Sequence, residues 1–203
     1  MSTPLVLFRF PILTGLRAVM AVVIGLVAVV SSMTVAQAKD DAAVKFMRRA
    51  AAALINAQKK GTAGSFERVV KRYGHVPAIG MYALGNYRRG LQHKQRISYY
   101  RGLGRFIGRY AAKESPKYAV HRVKFAPSAI RDGRSVLVDS QIILKDGTTY
   151  DVRWMLIPNR KTFKVRDAQV LGFWVTPFLQ RLFENYIAEN GGRVGSLVMA
   201  LNR

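Results

Sequence analysis

Apolar residues recur every three to four positions between residues 40 and 112 and every second position between 118 and 171, so the chain predicts helices first and strands afterwards. Asp40 or Asp41 caps a first helix whose apolar positions Val44, Met47, Ala51 and Leu54 share one face and which ends before Gly61. Phe66, Val69, Val70 and Tyr73 mark a second helix stopping at Gly74. Pro77 suits the first turn of a brief third one that carries Ile79, Tyr82 and Ala83 and closes at Gly85. Over residues 91–112 two apolar rows run side by side, Ile97, Tyr100, Ile107 and Ala111 beside Tyr99, Leu103, Phe106 and Tyr110. Only a strip of Ser98, Arg101, Gly102, Arg105 and Arg109 is left for water. Gly102, Gly104 and Gly108 cost helix propensity there and predict either a backbone in close approach or space for a ligand.

The period then falls to two. A mixed run over Tyr118–Phe125 precedes Val136, Val138, Ile142 and Leu144, which alternate with Leu137, Asp139 and Gln141, and Tyr150, Val152, Trp154 and Leu156, which alternate with Asp151 and Arg153. Asp132-Gly133 and Asp146-Gly147 separate these runs as hairpin turns, and Pro158-Asn159 supplies a third turn before Phe163–Leu171. Four consecutive strands joined by tight turns predict a curved antiparallel meander. One face, with Val136, Val138, Ile142, Tyr150, Val152, Trp154 and Leu156, needs helical cover. Thr176 and Pro177 open a helix with an apolar stripe of Phe178, Leu179, Leu182, Phe183, Tyr186 and Ile187, ended by Gly191-Gly192, and Leu197, Val198 and Leu201 close a last short helix. The predicted class is α+β, a four-stranded meander covered by N-terminal and C-terminal helices and forming a cone that is either packed solid or hollow.

The N-terminal residues change where this fold is expected to work. Arg9 and Arg17 precede an unbroken apolar run from Ala18 to Val30, and Ala36-Gln37-Ala38 offers the small residues of a cleavage site. That run is well short of the roughly 20 residues a membrane-spanning helix needs. Residues 1–38 are therefore expected to be a cleaved signal peptide and 39–203 one exported domain in a bacterial periplasm. Export removes ATP-driven and chromosome-binding functions, so no nucleic-acid partner is expected. The chain holds 33 Lys and Arg against 11 Asp and Glu. With Arg9 and Arg17 removed, 31 against 11 leave +20, a field suited to phospholipid headgroups, lipid A phosphates or acidic proteins. The chain lacks cysteine, so burial alone must hold the fold.

Catalytic signatures are absent. There is no Gly-x-Ser-x-Gly, His-Glu-x-x-His or phosphate-binding Gly-Lys motif. His75, His93 and His121 lie too far apart in sequence for a metal-ligand set, so no metal or cofactor is expected. Strand parity turns Asp139 and Asp151 outward and Asp167 inward, with Phe163 and Val165. Asp167 is thus the one carboxylate that could serve as general base in a cone-fold isomerase or hydratase. A basic adaptor with no cavity is a third class.

The run Phe163-Lys164-Val165-Arg166-Asp167-Ala168-Gln169-Val170-Leu171-Gly172, followed by Phe178 to Ile187 with Arg181 and Phe183 and then Gly191-Gly192, resembles the C-terminal signature of the MlaC, or toluene-tolerance, family. Leu84-Gly85-Asn86-Tyr87-Arg88, Gln95-Arg96 and the Phe106–Tyr110 helix resemble its central helices. Phe163 stands where the family usually has Trp, Ala168 where it has Val, and Trp174 where a small residue is common. The resemblance implies a soluble monomeric carrier that takes glycerophospholipid between an outer-membrane lipoprotein complex and an inner-membrane ABC transporter and maintains outer-membrane asymmetry. A hopanoid-associated branch of the family is the alternative cargo. Two acyl chains of about fifteen carbons would lose on the order of 20 kcal/mol if exposed to water, so such cargo needs an apolar pocket. The expected lining is Tyr82, Tyr87, Ile97, Tyr100, Ile107, Val136, Val138, Ile142, Val152, Trp154, Leu156 and Phe178, between the 97–110 helix and the sheet. Arg101, Arg105 and Arg109 are expected to guide docking on a partner.

Overall fold

A computed structural model describes residues 41–203; the predicted signal peptide lies outside the described residues. Helix α1 (Ala42–Lys60) begins where the Asp41 carboxylate accepts the Ala43 amide at 2.8 Å and stops at Gly61, whose φ of 63° closes the helix in the left-handed region. Helix α2 (Ala63–Tyr73) is capped by Thr62, and α3 (Val76–Ala83) by the His75 imidazole, whose Nδ1 accepts the Ala78 amide at 3.0 Å. Two short 3₁₀ turns, Gly85–Gly90 and His93–Gln95, then replace the start of the helix expected from residue 91. Helix α4 runs Arg96–Glu114 because Gln92 and Gln95 cap each other's backbone first.

Among the described residues the strands number six rather than four. They are β1 (Val120–Phe125), β2 (Ile130–Asp132), β3 (Ser135–Leu144), β4 (Thr149–Asn159), β5 (Thr162–Val170) and β6 (Phe173–Trp174), all antiparallel, in the order β1-β3-β4-β5-β6 with β2 also on β3. The two additions have three and two residues, too few for an alternation to show. The third turn also moves. Pro158 and Asn159 still pair with Phe163 and Thr162, and the chain reverses at Arg160, which takes a φ of 54°.

Helix α5 (Val175–Glu189) starts one residue before Thr176, so that residue does not cap it as expected. Helix α6 (Val194–Leu201) buries Val194, Leu197, Val198 and Leu201.

The apolar interior is divided. Ala43, Val44, Phe46, Met47 and Ala50 of α1 pack on Val136, Val138 and Leu156 of the sheet. Separately, α3, α4, α5 and α6 bury Ala83, Leu84, Tyr99, Leu103, Phe183, Ile187, Leu197 and Leu201 against one another. Helix α2 joins the two, with Tyr73 against the first cluster and Val70 against the second. The glycines of α4 explain its position. A Cβ on Gly108 would stand 2.8 Å from the Ala63 carbonyl oxygen of α2, and one on Gly102 would stand 2.8 Å from Leu201 of α6. Of the two expectations, close helix approach is the one found at Gly102 and Gly108, whereas a Cβ on Gly104 would meet only the Lys71 side chain at 3.9 Å.

Candidate functional site

One apolar cavity of about 410 Å³ opens beside the sheet. Its wall is built from Ala51, Leu54, Ile55 and Gln58 of α1, Phe66 of α2, Tyr110, Ala111 and Glu114 of α4, Ser115 and Tyr118 of the following turn, and Val120, Val123, Ile142 and Trp154 of the sheet. Register explains the sheet side. Val123 faces Ile142, and Ile142 shares the α1-covered face with Val138 and Trp154. The Trp154 Nε1 donates to Ser140 Oγ at 2.9 Å, and Ser140 donates to the Val152 carbonyl at 3.2 Å. The indole's one polar atom is thereby satisfied and its apolar surface is free to line the cavity.

One side chain bridges the elements at one end of the cavity. Gln58 Nε2 donates to the Ser115 carbonyl at 2.8 Å and the Tyr118 carbonyl at 2.7 Å, while its Oε1 accepts the Val120 amide at 3.0 Å. The amide thus ties α1 to the whole connection between α4 and β1. At the rim, the Lys117 ammonium donates to Glu114 at 2.7 Å and holds that carboxyl below the usual carboxylate range. Tyr118 packs edge-on to Tyr150, ring centroids 6.3 Å apart.

Of the residues expected to line a pocket, Ile142 and Trp154 stand in this wall. Val136, Val138 and Leu156 are instead closed under α1, and Val152 is buried opposite Ser140 and Val170. Tyr87, Tyr100 and Ile107 are half-buried against the helical cluster. Tyr82 lies at the surface with the Arg166 guanidinium 5.0 Å above its ring, Ile97 is 73% exposed, and Phe178 is exposed beside Phe173. The reason is that α4 packs on α2, α3 and α6, and only its C-terminal end reaches the cavity. The arginine row does not share one place either. Arg101 lines a separate concavity with Lys71, His75 and Lys164, Arg105 is exposed, and Arg109 donates to the Leu201 carbonyl at 3.3 Å. Sequence reasoning passed over Ile55, Gln58, Phe66, Tyr110 and Tyr118. The available signal was Gln58, a lone polar residue four positions after Leu54 on an otherwise apolar stripe.

Asp167 does not face the cavity. A bulge at Arg166 sets Leu156 opposite Val165 but Met155 opposite Asp167, which reverses the side-chain parity expected along β5. Its Oδ1 accepts the amides of Ala168 at 2.8 Å and Thr176 at 3.0 Å, and its Oδ2 accepts the Thr176 hydroxyl. Burial pushes the carboxyl up despite those amides. Its acceptor atoms are thus engaged in fastening the first turn of α5. Among the described residues no group of three or more His, Asp or Glu side chains is placed to hold a metal.

Among curated proteins none matches this chain. The fold does match a solved structure, the phospholipid-binding protein from Ralstonia solanacearum in complex with a phospholipid, at a TM-score of 0.65 and 18% identity over 80% of this chain and 95% of that one. The family model described as MlaC protein matches residues 37–203. That span takes in every described helix and strand, and the chain belongs to the MlaC family.

Proposed function

We propose that this protein is a phospholipid carrier of the periplasm, holding acyl chains in the cavity between α1, the end of α4 and the sheet and moving them between an outer-membrane lipoprotein complex and an inner-membrane ABC transporter. The observation that carries this reading is the apolar cavity latched by Gln58 in a member of the MlaC family. The phospholipid bound to the Ralstonia relative supports the same cargo class.

Size sharpens the reading. The 410 Å³ within this wall gives room for part of a lipid's hydrocarbon, and a diacyl lipid is admitted more fully when the Gln58 bonds part. Polar groups at the mouth, Glu114 and the carbonyls of Ser115 and Tyr118, then lie where a headgroup meets water. No residue has a catalytic role in this function. Lipid extraction and native mass spectrometry of the freshly purified protein test it. Co-purifying phospholipid is expected, and a bound hopanoid would select the alternative cargo. Protein that emerges lipid-free and takes up none from vesicles would overturn the reading.

A further inference from the structure

A second surface, sharing no residue with the cavity wall, has a composition that the cavity does not explain. Val170 ends β5 and Phe173 begins β6, and the two residues between them, Leu171 and Gly172, are both left-handed with φ of 51° and 83°. That is the backbone of a two-residue hairpin turn in which Asn-Gly is the unstrained choice, whereas a leucine there meets its own carbonyl. The strain gains no burial, because Leu171 is 68% exposed. The tip is also fixed, since Gln169 Nε2 donates to the Gly172 carbonyl at 2.9 Å. An apolar side chain is therefore held in water at a cost on a rigid support.

Its neighbours continue the pattern. Phe173 and Phe178 are exposed, with ring centroids 6.4 Å apart, and Val175, Phe178 and Leu182 form one exposed face of α5 at helical spacing. The Arg181 guanidinium sits 4.5 Å above the Phe178 ring. Of the nearby acids, Glu184 accepts the Asn86 amide at 2.8 Å, Asp167 is engaged with Thr176, and in the concavity that Leu171 and Gly172 also line Asp139 is paired with Arg153 and Asp151 accepts from Gln141 at 3.4 Å. The α5 side of the patch thus presents hydrocarbon and, among the described ion pairs, an unpaired Arg181 cation. It belongs to a body in which the described residues carry 30 Lys and Arg against 10 Asp and Glu, a net +20.

We propose that the Leu171-Gly172 tip, Phe173 and the exposed face of α5 seat the protein directly on an anionic lipid bilayer. Leu171 and Phe173 enter the boundary between headgroups and acyl chains, and Arg181 stays at phosphate depth with its stem along the Phe178 ring. The basic surface supplies long-range attraction to the same anionic layer. This surface contacts the membrane as a surface and is distinct from the cavity that holds cargo.

Vesicle sedimentation separates the two. The purified protein is expected to bind vesicles of phosphatidylglycerol and phosphatidylcholine, to bind pure phosphatidylcholine far less, and to lose affinity as salt rises. The combined Leu171→Asn and Phe173→Ser variant is expected to bind at least about tenfold more weakly, the effect of withdrawing two apolar side chains from the interface. Leu171→Asn alone restores the preferred turn residue, so its melting temperature is expected to hold or rise, which shows that the fold is intact. Wild-type protein that ignores anionic vesicles, binding that occurs only when membrane proteins are added, or variants that bind as tightly as wild type would each overturn the proposal. Co-purified lipid, measured in parallel, reads the cavity alone, so failure of the carrier reading and failure of the docking surface give different results.

Discussion

Replacing Gln58 with leucine tests the latch at its centre. The side chain closes three hydrogen bonds, to the Ser115 and Tyr118 carbonyls and from the Val120 amide. A net hydrogen bond contributes about 0.5–1.5 kcal/mol, and water can reach these partners at the exposed mouth, so the global loss should be about 1–2 kcal/mol. The local effect should be larger than the global one. Leucine keeps the volume and adds hydrocarbon to an already apolar wall, so the helices should stay packed while residues 115–120 come loose. Hydrogen exchange at the Val120 amide reads this directly: the variant should exchange faster there, with protection of Tyr99 and Leu103 inside the helical cluster changed only by the global loss. Lipid transfer to acceptor vesicles should speed up in step. A Val120 amide that keeps its wild-type protection in the variant would refute the latch, whatever happens to overall stability.

Ala51→Leu pushes a larger side chain into the cavity from its α1 wall; it should raise the unfolding free energy by about 0.5–2 kcal/mol and cut co-purified lipid, as denaturant titration and lipid extraction would show. Gly108→Ala places a methyl 2.8 Å from the Ala63 carbonyl oxygen and 3.0 Å from the Glu67 amide, so it should destabilise by about 1–3 kcal/mol in the same titration. Asp139 accepts from Arg153 at 2.7 and 2.9 Å, and those bonds hold its carboxyl below the usual 3.8. A depressed folded pKa gives stability that is present above 3.8 and lost as pH falls through the lower, folded value. The pair is partly exposed, so its share should stay below about 1 kcal/mol, read as the difference in urea midpoint between wild type and Asp139→Asn at pH 6 and at pH 3.

The elements that announced themselves were those with enough residues to repeat. Helix α1 carries its apolar stripe over nineteen residues, and β3 and β4 alternate over ten and eleven, so period and length agreed with the fold. Strands β2 and β6 have too few residues to show a period, and only their partners on β3 and β5 make them strands. Asp167 was misplaced because parity counting assumes an unbroken ladder, and one extra residue at Arg166 reverses every side chain beyond it. The expected pocket lies under the two apolar rows of α4. Gly102 and Gly108 draw that helix onto α6 and α2 instead, and α1 takes the sheet. Which helix covers a sheet is decided by which surfaces fit, and a one-dimensional pattern holds no information about the choice.

The divided interior has a mechanical consequence. Apart from Trp154, none of the wall residues belongs to either packed cluster. The wall can therefore widen locally, at the end where Gln58 bridges α1 to residues 115–120, while α2, the His75 amide on the Val165 carbonyl and the Asp167–Thr176 bonds keep the two clusters joined elsewhere. A guest's own tails then keep dry the surface that such widening would otherwise wet.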